Sequence, residues 1–278
     1  MVDFVKFTVA NFKEITTNPL LKFICKPNKD KTKSYKEAIY NGITFKSYDS
    51  GYLTVSGSLH KYYNEGEHNH NDFTFSMLQL VIEDLQNKFH FDLDDCYLHN
   101  IELGVNITPV VDTQSIMEGL IIHKNKDFDV RKRGFYKQVH HSQYYLKVYN
   151  KANQYNLSGQ LMRFELKVIK MERLKKIGIR KLGDLQETHW IGSMHDVLLH
   201  EWDKILLFDK SINIDSFTNK KQLQLHRWKD SSYWLHLEKN KRYRELKRYK
   251  KIVTQYSDLI QDKTNIIIKD KWISLSVL

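Results

Sequence analysis

Four stretches of the sequence place polar and ionisable side chains at alternate positions, the spacing at which a β-strand presents them on one side. Asn100, Glu102 and Asn106 alternate with Ile101, Leu103, Val105 and Ile107. Tyr145, Lys147, Tyr149 and Lys151 alternate with Leu146 and Val148, and Arg163, Glu165 and Lys167 alternate with Phe164, Leu166 and Val168. Over 51–60, Thr54, Ser56, Ser58 and His60 oppose Leu53, Val55 and Leu59. Strands of this kind, laid side by side, build a sheet with one apolar face for helices and one polar face. On the polar face, Glu102 and Glu165 offer the oxygen ligands that Mg2+ or Mn2+ takes. Lys147, Lys151 and Arg163 can clamp a phosphodiester, with Lys167 in the same row. His60 shares the parity of Ser56 and Ser58 and is read as a third ligand or a base at a strand end.

The other histidines are weaker candidates. His68 and His70 sit in a polar loop over 64–72, where no strand aims both rings to one side, and the adjacent His140 and His141 point to opposite faces of any strand. The sequence contains no G-x-x-x-x-G-K-[ST] loop, no G-x-G-x-x-G and no G-x-S-x-G, so ATPase, dinucleotide-dependent and serine-hydrolase chemistries lack their usual signatures. Cys25 and Cys96 lie far apart and form no C-x-x-C pair, which points away from a disulfide framework or thiolate zinc and towards a reducing cytoplasm. No signal-peptide pattern and no bilayer-length apolar run is present.

The 278 residues carry a formal charge of +11, of which +9 falls within 218–251. That segment includes Arg227, Lys239, Arg242, Arg244, Lys247 and Arg248, interleaved with Trp228, Tyr233, Trp234, Tyr243 and Tyr249. A concentrated basic stretch with rings between its charges can neutralise phosphates and stack on bases, so DNA is the expected partner. Leu246, Tyr249, Val253, Tyr256 and Ile260 recur at helical spacing in the same region.

Such chemistry needs a frame. The period-2 segments 51–60, 98–107, 143–151 and 161–168 predict strands, while 73–89 and 171–177 predict helices and 232–261 a long helical region. Lys26–Lys33 and 64–72 read as loops. The expected architecture is α+β, an antiparallel sheet with helices on one face, spanning 1–215, followed by a basic helical DNA-binding region over 216–278.

The block Tyr144-Tyr145-Leu146-Lys147-Val148-Tyr149-Asn150-Lys151, with Met162-Arg163-Phe164-Glu165-Leu166-Lys167 after it and Asn100-Ile101-Glu102-Leu103-Gly104-Val105-Asn106 before it, resembles the replication initiators of rolling-circle plasmids and single-stranded DNA phages. Val55-Ser56-Gly57-Ser58-Leu59-His60-Lys61 is similar to a Gly-Ser turn of the phage members. The resemblance covers roughly 98–175. It implies origin nicking by tyrosine attack on a phosphodiester with a divalent ion, a 5′-phosphotyrosine link and a free 3′-OH. It implies Glu102 and Glu165 as ligands, Lys151 as a phosphate contact, single-stranded or hairpin origin DNA as partner, and a bacterial cytoplasm. A host helicase and a second copy of the chain are further expected partners. The tyrosine does not transfer, because Leu174 stands near its place and no Tyr occurs between Tyr155 and Tyr233. Tyr243, with Lys247 at i+4 to lower its phenol pKa, is the first substitute, ahead of Tyr149 and Tyr249. A non-catalytic DNA-binding regulator on the same fold is the alternative, and a structural or RNA-binding protein of a mobile element a third.

Overall fold

The computed structural model describes residues 1–27 and 34–277. Of the loop expected over Lys26–Lys33, residues 28–33 lie outside the described residues, and Lys26 and Pro27 end a strand. In chain order the strands are β1 (Val2–Val9), β2 (Ile24–Pro27), β3 (Ser34–Tyr40), β4 (Ile43–Tyr48), β5 (Tyr52–Ser58), β6 (Cys96–Ile107), β7 (Leu120–His123), β8 (Lys126–Asp127), β9 (Asp129–Arg131), β10 (Tyr136–His140), β11 (Tyr144–Asn150), β12 (Met162–Val168) and β13 (Ile205–Leu207). Among the described residues, ten form one sheet in the order β2-β3-β4-β5-β1-β6-β12-β11-β10-β9, with every neighbouring pair antiparallel. A small second sheet runs β13-β7-β8. The fold is α+β.

Alternation puts Phe164, Leu166 and Val168 of β12 and Ile101, Leu103 and Val105 of β6 on one face, all buried. Helices Phe75–Phe89, His189–Asp203 and Ile260–Leu275 cover that face with Phe75, Leu78, Ile82, Trp190, Met194, Trp202, Ile268 and Trp272. Phe164 meets Trp202 edge-on at 5.2 Å. The first of these helices starts at Thr74, whose hydroxyl accepts from the Met77 backbone N–H.

The segment expected as one helical region over 232–261 divides into Ser231–His236 and Lys239–Tyr256, and the chain continues into Ile260–Leu275. Trp228, Trp234, Tyr249 and Ile252 form a second core with Ile121, Ile122, Phe208 and Leu225, whereas Ile260, Ile268 and Trp272 return to the first. Packing therefore does not divide at 215/216, because hydrophobic faces on both sides of that point serve both cores. Among the described residues no helix is long and apolar enough to cross a membrane.

Candidate active site

Strands β11, β12 and β6 are neighbours, and their register sets Lys147 opposite Glu165, Tyr149 opposite Arg163, and Lys167 opposite Glu102. The polar rows read in the sequence thus meet on one face. The tightest approach is at Gly104, which lies opposite Glu165. A Cβ there would come within 2.2 Å of the Phe164 carbonyl oxygen and 2.5 Å of the Glu165 Cβ. Only glycine lets the two strands and the Glu165 side chain share this spot.

The centre of this polar face is closed off from solvent. Arg163 and Glu165 are 2% and 1% exposed, because the loop over 64–72 folds down onto them. Asn106 ties that loop in place, its amide donating to the carbonyls of Asn69, His70 and Asn71 at 3.2–3.3 Å. Burial forces the charges to pair. Lys147 bridges Glu102 at 3.0 Å and Glu165 at 2.9 Å. The Arg163 guanidinium donates to Glu165 and, at 3.0 Å, to Asn106, and Lys167 pairs with Glu102 at 2.9 Å. The β1–β6 register slips between Val2 and Val5, and beside that slip Asp3 reaches 3.4 Å from Arg163 and accepts hydrogen bonds from Ser58 and Asn69.

These contacts set the protonation states. Burial alone would raise Glu165, but Lys147 and Arg163 outweigh it and hold the carboxyl well below its usual range. Glu102 is pushed up by burial and by the charge of Glu165. Burial works against the Lys147 ammonium, yet Glu165 and Glu102 raise it.

A divalent ion was expected on Glu102, Glu165 and His60, and the residues as arranged do not fit it. Both Glu165 oxygens already accept from cations, and one oxygen of Glu102 serves two lysines. An ion would have to displace Lys147 and Arg163 from a buried network. His60 is on a short helix, Leu59–Tyr63, rather than at a strand end. Its Nε2 lies 2.7 Å from the Asn71 amide oxygen and its ring stacks on Phe73, with burial lowering its pKa to about 3. It lines a separate pocket of about 10 Å3 beside Asn106 and Arg163. Among the described residues no three His, Cys, Asp or Glu side chains cluster as a metal site.

A cavity of about 220 Å3 opens beside the network. Lys61, Lys132, Lys147 and Lys151 line it together with Asp3, Glu102 and Glu165. Tyr136 and Tyr149 also line it, their rings stacked at 5.3 Å. Burial pushes the Tyr136 phenol up to about 12 and drives the enclosed Tyr149 phenol well above its ordinary value.

Lys151 opens a one-turn helix, Lys151–Tyr155, capped by Asn150. It is fully buried, and burial, reinforced by Arg163, lowers its pKa to about 7. Its Nζ donates to Asn69 Oδ1 at 2.6 Å, and the Tyr155 hydroxyl donates to the same oxygen at 2.7 Å. The ammonium stands 5.2 Å from the Tyr155 ring and 5.4 Å from that of Tyr149. His70 meets Tyr155 edge-on at 5.1 Å and stacks on His68 at 4.1 Å. Asp3, Asn69 and Tyr155 did not stand out in the sequence, although Lys151 and Tyr155 carry the same i,i+4 signal that was weighed at Tyr243.

Tyr243 is not brought to this site. It is 69% exposed on helix Lys239–Tyr256, which packs into the second core. Tyr249 is buried there, its hydroxyl donating to the Leu207 carbonyl. Trp228 and Trp234 are core residues as well, so they offer no faces to bases. Arg242 is spent on the carbonyls of Trp234, Leu235 and Leu237, and Arg248 pairs with Glu245 at 2.7 Å. Arg227, Lys239, Arg244 and Lys247 remain exposed to solvent. A larger cavity of about 580 Å3 lies between the small sheet and this helix, lined by acids and bases of both signs.

No family model matches the chain, and no curated protein does. Among solved structures it is similar to the rolling circle replication initiator protein from Geobacillus stearothermophilus, at 11% identity and a TM-score of 0.39, over 82% of this chain and 96% of that one.

Proposed function

We propose that the protein is a replication initiator of the rolling-circle type that nicks DNA by tyrosine attack, with Tyr155 as nucleophile and Lys151 as its base. The observation that carries the reading is the shared acceptor: Lys151 and Tyr155 both donate to Asn69 Oδ1, at 2.6 and 2.7 Å, and both Lys151 and Asn69 line the cavity. A lysine with a pKa of about 7 is half neutral at neutral pH and can accept a proton. The phenol turns its proton from Asn69 Oδ1 to the neutral Lys151 amine and gives it up there, the phenolate oxygen bonds to phosphorus, and the P–O3′ bond breaks. The 3′ oxygen leaves with its electron pair and takes a proton from solvent, and the 5′ phosphate stays on the tyrosine. Lys61, Lys132 and Lys147 face the charge that develops on the phosphoryl oxygens. The exposed cations Arg227, Lys239, Arg244 and Lys247 supply a second, sequence-independent grip on the backbone.

The alternative, a DNA-binding regulator without chemistry, draws support from the completeness of the Glu165 network, which needs no ligand to be satisfied. The two readings separate on a denaturing gel after incubation with supercoiled and single-stranded DNA carrying candidate origins. An adduct mapped by mass spectrometry to the peptide containing Tyr155, lost in Tyr155→Phe while DNA binding persists, is the expected result. An adduct on Tyr136 or Tyr149 would move the nucleophile, and retarded but never linked DNA would favour the regulator.

A further inference from the structure

The polar face extends well beyond the cavity. Tyr35 lies opposite Tyr48 across β3 and β4, and Tyr48 opposite Tyr52 across β4 and β5. The three rings therefore stand in a row over three strands, Tyr48 stacked on Tyr52 at 4.6 Å and 19° and Tyr35 tilted against Tyr48 at 5.7 Å. Tyr52 has the parity of Thr54, Ser56 and Ser58, so the row is on the same side of the sheet as Ser58, which lines the cavity. Tyr52 is 41% exposed, and Ile39, on the same face, 63%.

Cross-strand tyrosine pairs stabilise a sheet wherever they occur. Here the charges around them add a direction. Lys46 sits 4.7 Å over the Tyr35 ring, and Lys26, opposite Tyr35, flanks it on β2. Both pair with Glu37, which leaves the strand residues of this corner net positive. Lys6, opposite Ser56, is exposed between the row and the cavity, nearer the cavity. Six residue steps along β5 separate Tyr52 from Ser58, about 20 Å at the rise of a strand. An unpaired strand leaving the cavity thus finds a lysine on its path and aromatic faces at its end.

We infer that Tyr35, Tyr48 and Tyr52 form a stacking platform for single-stranded DNA flanking the phosphodiester held in the cavity, with Lys6 and Lys46 contacting its backbone. The inference deepens the proposed function and rests on it for the place of the cleaved bond. Bases stack on aromatic faces without regard to sequence, whereas a closed duplex offers no free base faces. The platform therefore selects melted over paired DNA.

The test is fluorescence anisotropy with a labelled 20-nucleotide oligothymidine and with a blunt duplex of equal length, for wild type, Tyr52→Ala, Tyr48→Ala and the matching Phe variants, each checked for an unchanged thermal melt. The Ala variants should bind the single strand roughly 5- to 150-fold more weakly, with an unaltered salt slope, because stacking releases no counterions. The Phe variants should stay near wild type, and duplex binding should not move. Equal loss in Phe and Ala, equal loss on the duplex, or no loss in Ala would each overturn the platform. A melt lowered in the Ala variants transfers the decision to photo-crosslinking of bromodeoxyuridine-substituted oligonucleotide to the wild type, where absence of the peptides bearing Tyr48 and Tyr52 counts against it. Single-strand binding that depends on these rings without any nicking would leave the platform standing and remove the initiator reading. Nicking and binding unchanged in the Ala variants would do the reverse.

Discussion

Replacing Lys151 with methionine tests the site where its electrostatics are most exposed to measurement. The ammonium is fully buried, and its pKa falls from 10.5 to about 7. Between those values the unfolded chain holds a proton that the folded protein has released, so wild-type stability rises with pH across this window and the charged lysine weighs on the fold below it. The full shift corresponds to roughly 4–5 kcal/mol at 1.36 kcal/mol per unit. Against it stands the hydrogen bond to Asn69, about 1–3 kcal/mol when its partner is left buried. Lys151→Met keeps the volume and removes the charge. Near pH 7 it should be as stable as wild type or more so, and the difference should move in favour of wild type by about 1.4 kcal/mol per pH unit between pH 8 and 9.5. Urea denaturation of both proteins across that range gives the slope, and subtracting the variant cancels every other titrating group. A pH-independent difference would refute the perturbed lysine and, with it, the base assigned to the nicking step. The nicking rate of the wild type should rise through about pH 7 as the amine loses its proton, and Lys151→Met should lack that limb.

Three further outcomes follow, two from the buried network and one from the exposed basic helix. Glu165→Gln removes the buried carboxylate that Arg163 and Lys147 share, leaving Arg163 only Asp3 at 3.4 Å and Lys147 only Glu102, and should cost about 3–5 kcal/mol of stability by denaturant titration, far more than an exposed pair would. Because the carboxylate oxygens are already taken by cations, Mn2+ or Mg2+ should leave the melting temperature of the DNA-free protein unchanged relative to EDTA; a bound ion at a hundred times its Kd would add about 2.7 kcal/mol, and a saturable rise of that kind would show that the cations yield to metal. Arg244→Gln with Lys247→Gln should reduce the salt slope of DNA binding by about 0.7–0.9 for each phosphate no longer neutralised, and an unchanged slope would put the backbone grip elsewhere.

Much of this was legible in one dimension. Period-2 alternation settled β6, β11 and β12, since a strand with one buried face has only one register that hides Phe164, Leu166 and Val168. Within each strand it also set Glu102, Lys147, Arg163 and Glu165 against the apolar row, and the pairing of β6, β12 and β11 then brings them onto one face. The concentration of charge over 218–251 was a count. What alternation cannot report is what lies over a face. The loop over 64–72 reads as solvated because it is polar, yet three hydrogen bonds from Asn106 pull it onto β6 and turn open carboxylates into a buried ion network. That change in dielectric lowers Lys151 to about 7 and moves Glu165 from a metal ligand to a counter-ion. Helical spacing likewise pointed to Tyr243 and to the aromatic rings around it, but periodicity does not say which core a helix serves, and the second core absorbed Trp228, Trp234 and Tyr249. The i,i+4 spacing of Lys151 and Tyr155 was in the sequence, but what singles Tyr155 out was not: its partner Asn69 stands 86 residues away, and only chain folding brings that oxygen to both the phenol and the lysine.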